Sequence, residues 1–373
     1  AAMSGIRPLR DDDVAAVTAL FQKTFRDPAL PPPLSLSAYL RRLYLDMPGN
    51  DPDIGPLVHV DASGAITGFI GVNALAMRHG EARLRGAVCG SLMVADPTGD
   101  PMAGARLLKA FLAGPQDISF SETASEVSAR MWAGLRGVAL PQYSLDWVRL
   151  IRPGSFLVDV AAERVKAARL FAPLARGLDR FARRRIEPGG LRWSAVPEEW
   201  PVQGGLRAAE IDIAAFAALV EPLTRHFALR PDWAEGQLEA ILSDAREKPF
   251  FGEPVFAAVE ARGGKPVGAF ACHVRPGRIA RVLQVLALPG QEGAVIDCLI
   301  ADAARRGAAG LRGRVQPALL AAMLGRRIAF THVASTVVHA RDAEIVRACR
   351  DGDVFLNGIA GEHWSRLIGG SFN

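Results

Sequence analysis

The spacing of apolar residues alternates between a helical and a strand-like period along residues 1–150. After a short strand over 5–9, helical spacing predicts helices over 11–25 and 36–46, and acids open the first of them, where the helix dipole favours negative charge. Alternating apolar positions predict strands over 57–61, 65–76 and 81–95. Turn residues separate these strands, which predicts an antiparallel meander. The remaining elements are a helix over 102–112, a strand over 117–121, a helix over 124–135 and a strand over 145–150.

The second half of the chain repeats this order of elements. Helices are predicted over 213–226 and 231–246, followed by strands over 255–261, 266–274 and 278–287. The repeat ends with a helix over 292–306, a strand over 310–315, a helix over 317–324 and a strand over 335–340. Few residues are identical between the halves, so we interpret this repeat of pattern as an ancient duplication. The sequence predicts an α/β (α+β) chain of two similar domains.

Composition supports two packed domains and limits the kinds of site. The chain has 373 residues, of which 50% are hydrophobic and 22% charged, as in globular proteins of more than one domain. Its four cysteines lie far apart, without a CxxC pair or a histidine cluster, which predicts buried reduced thiols and no metal site. Residues 1–13 contain no apolar signal core, and no apolar stretch is long enough to span a membrane, so we predict a cytoplasmic protein.

The positive charge is concentrated in one segment, residues 156–185. This segment has eight Lys or Arg against three acids, a difference of +5 that equals the formal net charge of the chain. The rest is balanced, so we predict no nucleic-acid binding. Apolar residues recur at helical spacing between the arginines, at Phe171, Leu174, Leu178 and Phe181. Either this helix lies on an anionic membrane surface, or it packs over the groove between the domains with its arginines in water.

One segment, from Leu92 to Leu108, joins a predicted strand to a helix through a turn of small residues. With the order of elements around it, this segment resembles the GNAT superfamily of acyl-CoA-dependent N-acyltransferases. In that family the fourth strand leads into a glycine-rich loop that opens a helix, and here Pro101, Ala103 and Ala105 stand at loop positions. The resemblance implies two tandem GNAT-like domains of a bacterial type, each with a mixed, mostly antiparallel sheet flanked by helices.

The resemblance also implies acetyl-CoA or another acyl-CoA as co-substrate, and no metal. Backbone N–H groups at the start of the helix bind the pyrophosphate in this family, and small residues let the phosphates approach. N–H groups at the end of the fourth strand would bind the thioester carbonyl as an oxyanion hole. The positions implied to bind the coenzyme are Leu92, Met93, Val94, Gly99, Asp100, Pro101, Met102, Ala103, Gly104 and Ala105.

The side chains that carry catalysis in many family members are absent at the matching positions. Trp132 stands in place of the tyrosine general acid, and an indole N–H has no usable acidity. Cys89 and Ser91 lie where a glutamate is often found on the fourth strand. Glu122 remains a candidate general base, near the cleft where the fourth and fifth strands splay, or it caps the following helix. Ser91 is the second catalytic candidate, or it packs within the strand with Cys89.

The second half departs further from the family. Its loop, residues 287–294, places Glu292 near the expected phosphates, so we predict that this half does not bind coenzyme A. The C-terminal segment, residues 351–364, resembles an ending of bacterial tandem GNAT proteins. Glu362 and His363 within it suggest a catalytic pair, but neighbours on a strand point to opposite faces, which favours a surface or packing role.

We predict an acyl-CoA-binding N-terminal domain over 3–152, a basic helical connector over 153–205 and a degenerate GNAT-like domain over 206–373. The resemblance implies an N-acyltransferase that moves an acyl group, most simply acetyl, to an amine of a small molecule or peptide by direct attack. The missing glutamate and tyrosine favour the alternative, a catalytically inactive scaffold that senses an acyl-CoA or binds a protein partner. Two similar halves in one chain are compatible with a monomer or a homodimer.

Overall fold

The computed structural model describes residues 5–187, 192–193, 195–197, 200 and 202–373. The predicted domain start at residue 3 and parts of the stretch between 187 and 205 lie outside them. The strands of the first half are β1 (Gly5–Pro8), β2 (Leu57–Val60), β3 (Ile66–His79), β4 (Ala82–Val94), β5 (Ile118–Ala124), β6 (Val138–Ala139) and β7 (Leu145–Leu150). Its helices are α1 (Val14–Phe25), α2 (Leu34–Arg41), α3 (Ala103–Leu112) and α4 (Glu126–Gly134). The connector contains α5 (Pro153–Arg164) and α6 (Ala172–Arg184).

The second half contains the strands β8 (Arg207–Glu210), β9 (Leu229–Pro231), β10 (Glu253–Glu260), β11 (Pro266–Val274), β12 (Ile279–Ala287), β13 (Gly310–Arg314), β14 (Ala329–His332) and β15 (Ser335–Ala340). Its helices are α7 (Ile213–Thr224), α8 (Gln237–Arg246), α9 (Glu292–Arg305), α10 (Pro317–Leu324) and α11 (Ala343–Asp351). Most predicted elements are confirmed. The helix predicted over 231–246 begins later, at Gln237, because Pro231 belongs to β9, which pairs with β3, and residues 232–236 form a loop before the helix.

The elements form two sheets with helices packed on them. The first sheet has the strand order β1-β2-β3-β4-β5-β15-β6, with β9 also paired to β3, and the second has the order β14-β7-β13-β12-β11-β10-β8. The predicted meander is confirmed, since β2, β3 and β4 pair antiparallel in sequence. One parallel pair interrupts each sheet, β4 with β5 and β12 with β13. The predicted class of mixed, mostly antiparallel sheets is therefore confirmed.

Each sheet takes strands from the other half of the chain, and the first sheet takes two, β15 and the short β9. β7, the last strand of the first half, pairs antiparallel with β13 of the second half. β15 pairs antiparallel with β5 of the first half. Each of these two strands is predicted at the end of its own half, but the edge that it fills belongs to the other half. The predicted division at 152 and 206 thus separates strands that share a sheet.

A shared core also joins the two halves. Its buried apolar side chains come from the first helices of both halves, with Val17 and Phe21 on α1 and Phe216 and Val220 on α7. Trp364 of the C-terminal segment packs into the same cluster. Burial of apolar surface drives folding, so a core built from both halves couples their folding.

The connector helices pack on each other through a polar contact. Asp179 of α6 is buried and accepts hydrogen bonds from the N–H groups of Gly154 (2.6 Å) and Ser155 (2.8 Å), in the first turn of α5. The apolar side chains between the arginines are exposed, by 62% at Phe171, 68% at Leu174, 67% at Leu178 and 56% at Phe181. The prediction that they pack over the groove is wrong, because the polar side of α6 faces the protein. Within the described ranges, no helix combines the length and apolar character needed to cross a membrane.

Candidate active site

Strands β4 and β5 run side by side and then diverge, and a cavity opens between their ends. Their pairing covers only Gly86–Val88 and Ile118–Phe120, although both strands continue for several residues. The cavity has a volume of about 500 Å³, within the range of small-molecule sites. Residues of the C-terminal segment, from Gly361 to Gly369, contribute to its wall. The predicted cleft between the fourth and fifth strands is thus present.

A β-bulge interrupts β4 beside this cavity. Its pairing with β3 skips from Gly90 to Met93, so Ser91 and Leu92 lie opposite a single residue. Ser91 has a φ of +52°, a left-handed conformation that is uncommon for a residue with a Cβ atom. Ser91 lines the cavity together with Tyr44. The predicted oxyanion-hole segment therefore begins at a break in strand pairing.

The carboxylate of Glu362, from the C-terminal segment, lines the cavity. Its Oε1 accepts hydrogen bonds from Ser121 Oγ (2.6 Å) and from the N–H of Glu122 (3.1 Å), and the hydroxyl of Thr123 donates to Oε2. A Cβ on Gly90 would lie 3.2 Å from Oε2, so glycine allows β4 to approach this carboxylate. Burial and the charge of Glu122 raise the pKa of Glu362 to about 7. A carboxyl with this pKa is suited to accept a proton near neutral pH.

Glu122 is fully buried and does not line the cavity. Its Oε1 accepts hydrogen bonds from the N–H groups of Glu362 (2.6 Å) and His363 (2.9 Å), and its Oε2 accepts one from Gly358 (3.2 Å). Burial raises the pKa of Glu122, but the charge and hydrogen bonds of His363 and the charge of Arg314 outweigh it and bring the pKa to about 2. A carboxylate so occupied is a poor base, which argues against the role predicted for Glu122.

Helix α4, on the opposite wall, starts with a serine cap. Ser125 Oγ accepts a hydrogen bond from the N–H of Ser128 (3.2 Å), so the alternative prediction that Glu122 caps this helix is wrong. Trp132 on α4 is buried and lines the cavity. Its indole offers a hydrogen-bond donor but no acid for a leaving group.

Glu362 and His363 point to opposite sides of the C-terminal segment. Glu362 faces the cavity, whereas the imidazole Nδ1 of His363 lies 2.8 Å from Glu122 Oε1. The expectation of opposite faces is confirmed, but the surface or packing role drawn from it misses the position of Glu362. The adjacent Glu and His were the one signal that the sequence offered for this site. The contact between Glu122 and Glu362 joins residues 240 positions apart, so the sequence could not show it.

A buried lysine of the second half anchors the segment that carries Glu362. Lys248 Nζ donates hydrogen bonds to the carbonyl oxygens of His363 (2.7 Å), Ser365 (2.7 Å) and Ile368. Burial lowers the pKa of Lys248 to about 7. The cavity wall therefore depends on a contact that the second half supplies.

The predicted phosphate-binding loop joins β4 to α3. Asp96 Oδ1 accepts hydrogen bonds from the N–H groups of Thr98 (3.2 Å) and Gly99 (2.8 Å). Asp100 forms an ion pair with Arg106 in the first turn of α3. Two N–H groups of this loop are thus occupied by a carboxylate, which a bound phosphate would have to displace.

The start of α3 offers small residues for close approach. The predicted coenzyme-binding residues here are exposed at Pro101 and Met102, half-buried at Ala105 and buried at Ala103 and Gly104. A Cβ on Gly104 would meet only side-chain atoms, at 3.7 Å or more. This turn has room for a methyl group.

The equivalent cleft of the second half, between β12 and β13, is partly filled, on the side of Gln284. The parallel pairing of these strands ends at Val282 and Gly313. The C-terminal segment packs beyond this point, and the N–H of Ile359 donates to Gln284 Oε1 (3.0 Å). The cavity that remains on this side measures about 10 Å³, too little for a coenzyme.

All four cysteines are buried and unpaired, as predicted. Burial raises the pKa of each thiol, and the charge of Glu362 adds to the effect at Cys89. A thiol with a raised pKa is a weak nucleophile, so Cys89 is not suited to carry an acyl group. Across the described residues, no group of three or more His, Cys, Asp or Glu side chains is placed to hold a metal ion.

Solved structures share this architecture. A GCN5-related N-acetyltransferase from Anabaena variabilis aligns with a TM-score of 0.57 and 12% identity, covering 91% of this chain and 73% of that one. A protein from Enterococcus faecalis, described as a probable N-acyltransferase, aligns with a TM-score of 0.58 and 10% identity over 91% and 73% of the two chains. A GCN5-related N-acetyltransferase from Kribbella flavida aligns with a TM-score of 0.52 and 12% identity over 91% and 72%.

In sequence, the chain matches no protein-family model and no curated protein. At 10–12% identity, the structural likeness establishes the fold. Two sheets, each with one parallel pair at its centre, repeat that fold along the chain. This chain therefore has the fold of the GCN5-related N-acetyltransferases, in a tandem arrangement.

Proposed function

We propose that the protein is an N-acyltransferase that takes an acyl group from acyl-CoA and passes it to an amine in the cavity between β4 and β5. The observation that carries this proposal is the position of Glu362. This carboxyl lines a cleft between diverging strands of an acyltransferase fold, and its pKa is about 7. The likeness of fold supports the class of reaction, and the cavity volume supports a small acceptor.

Glu362 is the general base in this proposal. It takes one proton from the ammonium group of the acceptor, and the freed nitrogen attacks the thioester carbonyl carbon. The C–N bond forms as the C–S bond breaks, and the second proton lost by the nitrogen passes to the departing thiolate. Transfer is direct, and the raised pKa of Cys89 supports a route without an acyl-enzyme intermediate.

Backbone groups of β4 and α3 would hold the donor. The bulge at Ser91 frees part of β4 from its ladder, so N–H groups of Leu92–Val94 are proposed to polarise the thioester carbonyl. The N-terminus of α3 and its small residues favour the pyrophosphate. Asp96 and Asp100 oppose it, so we expect weaker coenzyme binding than a loop with free N–H groups would give.

The alternative is a catalytically inactive protein that senses an acyl-CoA or binds a protein partner. Trp132 in place of an acid, and the two carboxylates in the phosphate loop, favour it. Such a scaffold gives no reason for a cavity carboxylate held by Ser121 and Thr123 with a pKa of about 7. We therefore place the enzyme first.

The second half is proposed to complete the acceptor side without binding coenzyme A. The packing of the C-terminal segment beside Gln284 and the Lys248 anchor support this division of roles. We propose a small-molecule or peptide amine as acceptor, and a monomer or homodimer as the working state. Four unpaired thiols are typical of a reducing compartment, so we propose a cytoplasmic location.

Thermal unfolding with acetyl-CoA, a longer acyl-CoA and free coenzyme A tests donor binding. Ligand at 100 times its Kd stabilises a fold by about 2.7 kcal/mol. Gly104→Glu is expected to abolish the shift by repelling the pyrophosphate. Gly104→Ala is the matched control, since its methyl group fits and the shift should remain. If none of these ligands raises the melting temperature of the wild-type protein, the acyltransferase proposal is wrong.

A turnover assay distinguishes the proposed enzyme from the catalytically inactive scaffold. Release of free coenzyme A thiol from acetyl-CoA, measured across a panel of small amines and peptide N-termini, is expected to depend on Glu362. Coenzyme binding without turnover for any amine would leave the sensing scaffold as the function.

The exposed apolar side of the connector favours a second role, contact with an anionic membrane surface. Its apolar side chains alternate with exposed cations, which are Arg164, Lys166, Arg169, Arg176, Arg180, Arg184 and Arg185. A symmetric contact between two copies would bring these like charges together, whereas anionic lipid headgroups complement them.

Co-sedimentation with vesicles tests this second role. Binding is expected to vesicles of phosphatidylcholine with phosphatidylserine, to fall at high salt, and to be lost in Leu174→Ser/Leu178→Ser. Leu34→Ser is the control, since Leu34 is 88% exposed on a different helix. Equal binding to pure phosphatidylcholine, or none to either, contradicts the role.

A further inference from the structure

A second cavity, of about 200 Å³, lies in the second half of the fold. It opens where the pairing of β12 with β13 ends, and His363 contributes to its wall. Glu362, the neighbouring residue, borders the first cavity. The two cavities therefore lie on either side of the C-terminal segment.

The wall of the second cavity is strongly cationic. Arg281, Arg312, Arg314 and Lys248 line it, and among the described residues Asp146 is the one carboxylate in its wall. Asp146 is shared, with Oδ2 2.8 Å from Arg312 Nη2 and Oδ1 3.3 Å from Arg314 Nη1. One carboxylate thus faces several cations.

Two of the guanidinium groups have N–H donors that are not fully used in hydrogen bonds. The side chain of Arg314 is 6% exposed, and its buried Nε has no hydrogen-bond partner within the described structure. Arg281 lies over the ring of Phe251, and its ion pair goes to an exposed carboxylate, Glu163, at 3.5 Å. Burial and the charge of Arg312 lower the pKa of Arg281 despite the opposing charges of Glu163, Asp146 and Asp159, the last of which pairs with Arg278. Buried guanidinium donors without acceptors are costly, and an oxyanion would supply the acceptors.

The other titratable groups nearby do not cancel this charge. His273 lines the cavity, and burial lowers its pKa to about 4, so it is neutral near pH 7. His363 is paired with Glu122, which lies behind the wall. Lys248 points its ammonium group at backbone carbonyls. The three arginines therefore exceed the carboxylates of Asp146 and Glu163.

We infer that this cavity binds a small oxyanion, a phosphate or carboxylate group of a small metabolite, through Arg281, Arg312 and Arg314. Guanidinium groups bind both kinds of oxyanion through paired N–H donors. The volume admits a phosphate or a short dicarboxylate but not a nucleotide or coenzyme A. The site is separate from the first cavity, so the inference does not depend on the proposed acyl transfer.

Titration calorimetry and thermal unfolding with inorganic phosphate and with succinate, at constant ionic strength, test the site. Saturable binding with a stoichiometry of one is expected for at least one probe, and the tighter probe identifies the head group. Arg281→Gln should weaken that binding at least tenfold, because it removes two donors from the cavity. Its weak contact with Glu163 means that the fold should survive, which the unliganded melting temperature checks.

Arg207→Gln is the matched control. Arg207 lies on β8 of the same sheet, is exposed and pairs with Glu260 at 3.3 Å, away from the cavity. It changes the net charge equally, so binding should be unaffected. No saturable binding of either probe, or equal weakening by both variants, would overturn the inference.

Discussion

The raised pKa of Glu362, about 7, means that its carboxyl is partly ionised near neutral pH. Only the ionised carboxylate accepts a proton, so the kcat/KM for acyl transfer should rise as the pH increases through about 7. Glu362→Gln should lower kcat by about 10²–10⁴ and remove this step. Stopped assays between pH 5.5 and 9 measure both, with Glu126→Gln, an exposed acid on α4, as control. A variant that keeps the wild-type pH step would refute the assignment.

The same carboxyl has an effect on stability that does not depend on turnover. Its pKa is raised from 4.5 to about 7 on folding, so the folded state holds the proton more tightly. Stability from this group is full below about pH 4.5 and is lost as the pH rises through 7. Glu362→Gln cannot ionise, so relative to wild type its free energy of unfolding in urea should be higher at pH 8 than at pH 5. A constant difference would contradict the raised pKa.

The contribution of Glu122 to stability changes with pH in the opposite direction. Its pKa falls from 4.5 to about 2 on folding, so its contribution is full above about pH 4.5 and is lost as the pH falls towards 2. Glu122→Gln leaves the buried His363 and several N–H groups poorly paired, and should cost about 3 kcal/mol at pH 6. The cost should shrink at pH 3, where Glu344→Gln, an exposed control, shows no comparable change. Urea unfolding at both pH values measures it.

The loop between β4 and α3 limits how well this fold can hold a phosphate. Asp96→Ala frees the N–H groups of Thr98 and Gly99 and removes a negative charge, so acetyl-CoA should bind several-fold more tightly. Asp61→Ala is the matched control, because Asp61 makes the same kind of turn contacts between β2 and β3. Calorimetric Kd values compare the two. Weaker binding in Asp96→Ala would mean that the turn, rather than free N–H groups, positions the coenzyme.

At the scale of helices and strands, periodicity in the sequence predicts most elements but not the strands with which each strand pairs. The meander β2-β3-β4 followed from alternation and turn residues, since neighbouring strands joined by short turns pair with each other. The partner of β7 could not be predicted, because β13 is far along the chain and any strand edge is chemically alike. The sequence names Glu362 but favours a surface or packing role for it, for the same reason. Its environment is made by β4, β5 and a segment distant in sequence.

We expect the exchange of β7 and β15 to make the two halves one folding unit. Each sheet would lose a strand if its half stood alone, and would expose the hydrogen-bonding edge that β7 or β15 now covers. The shared core between α1 and α7 would be exposed as well. We therefore expect the two tandem copies of the fold to depend on each other for folding.

Splitting the chain within the connector tests this interdependence. Residues 1–187 and 188–373, each expressed alone, should be insoluble or fail to unfold cooperatively, because each lacks a strand that its own sheet requires. Co-expressed, the two chains should copurify as a one-to-one complex, since both strands can then reach their edges. Soluble yield, circular dichroism and light scattering distinguish these outcomes. A first half that folds alone as a monomer would show that β5 does not need β15 as a partner. The two halves would then be complete domains without the exchanged strands.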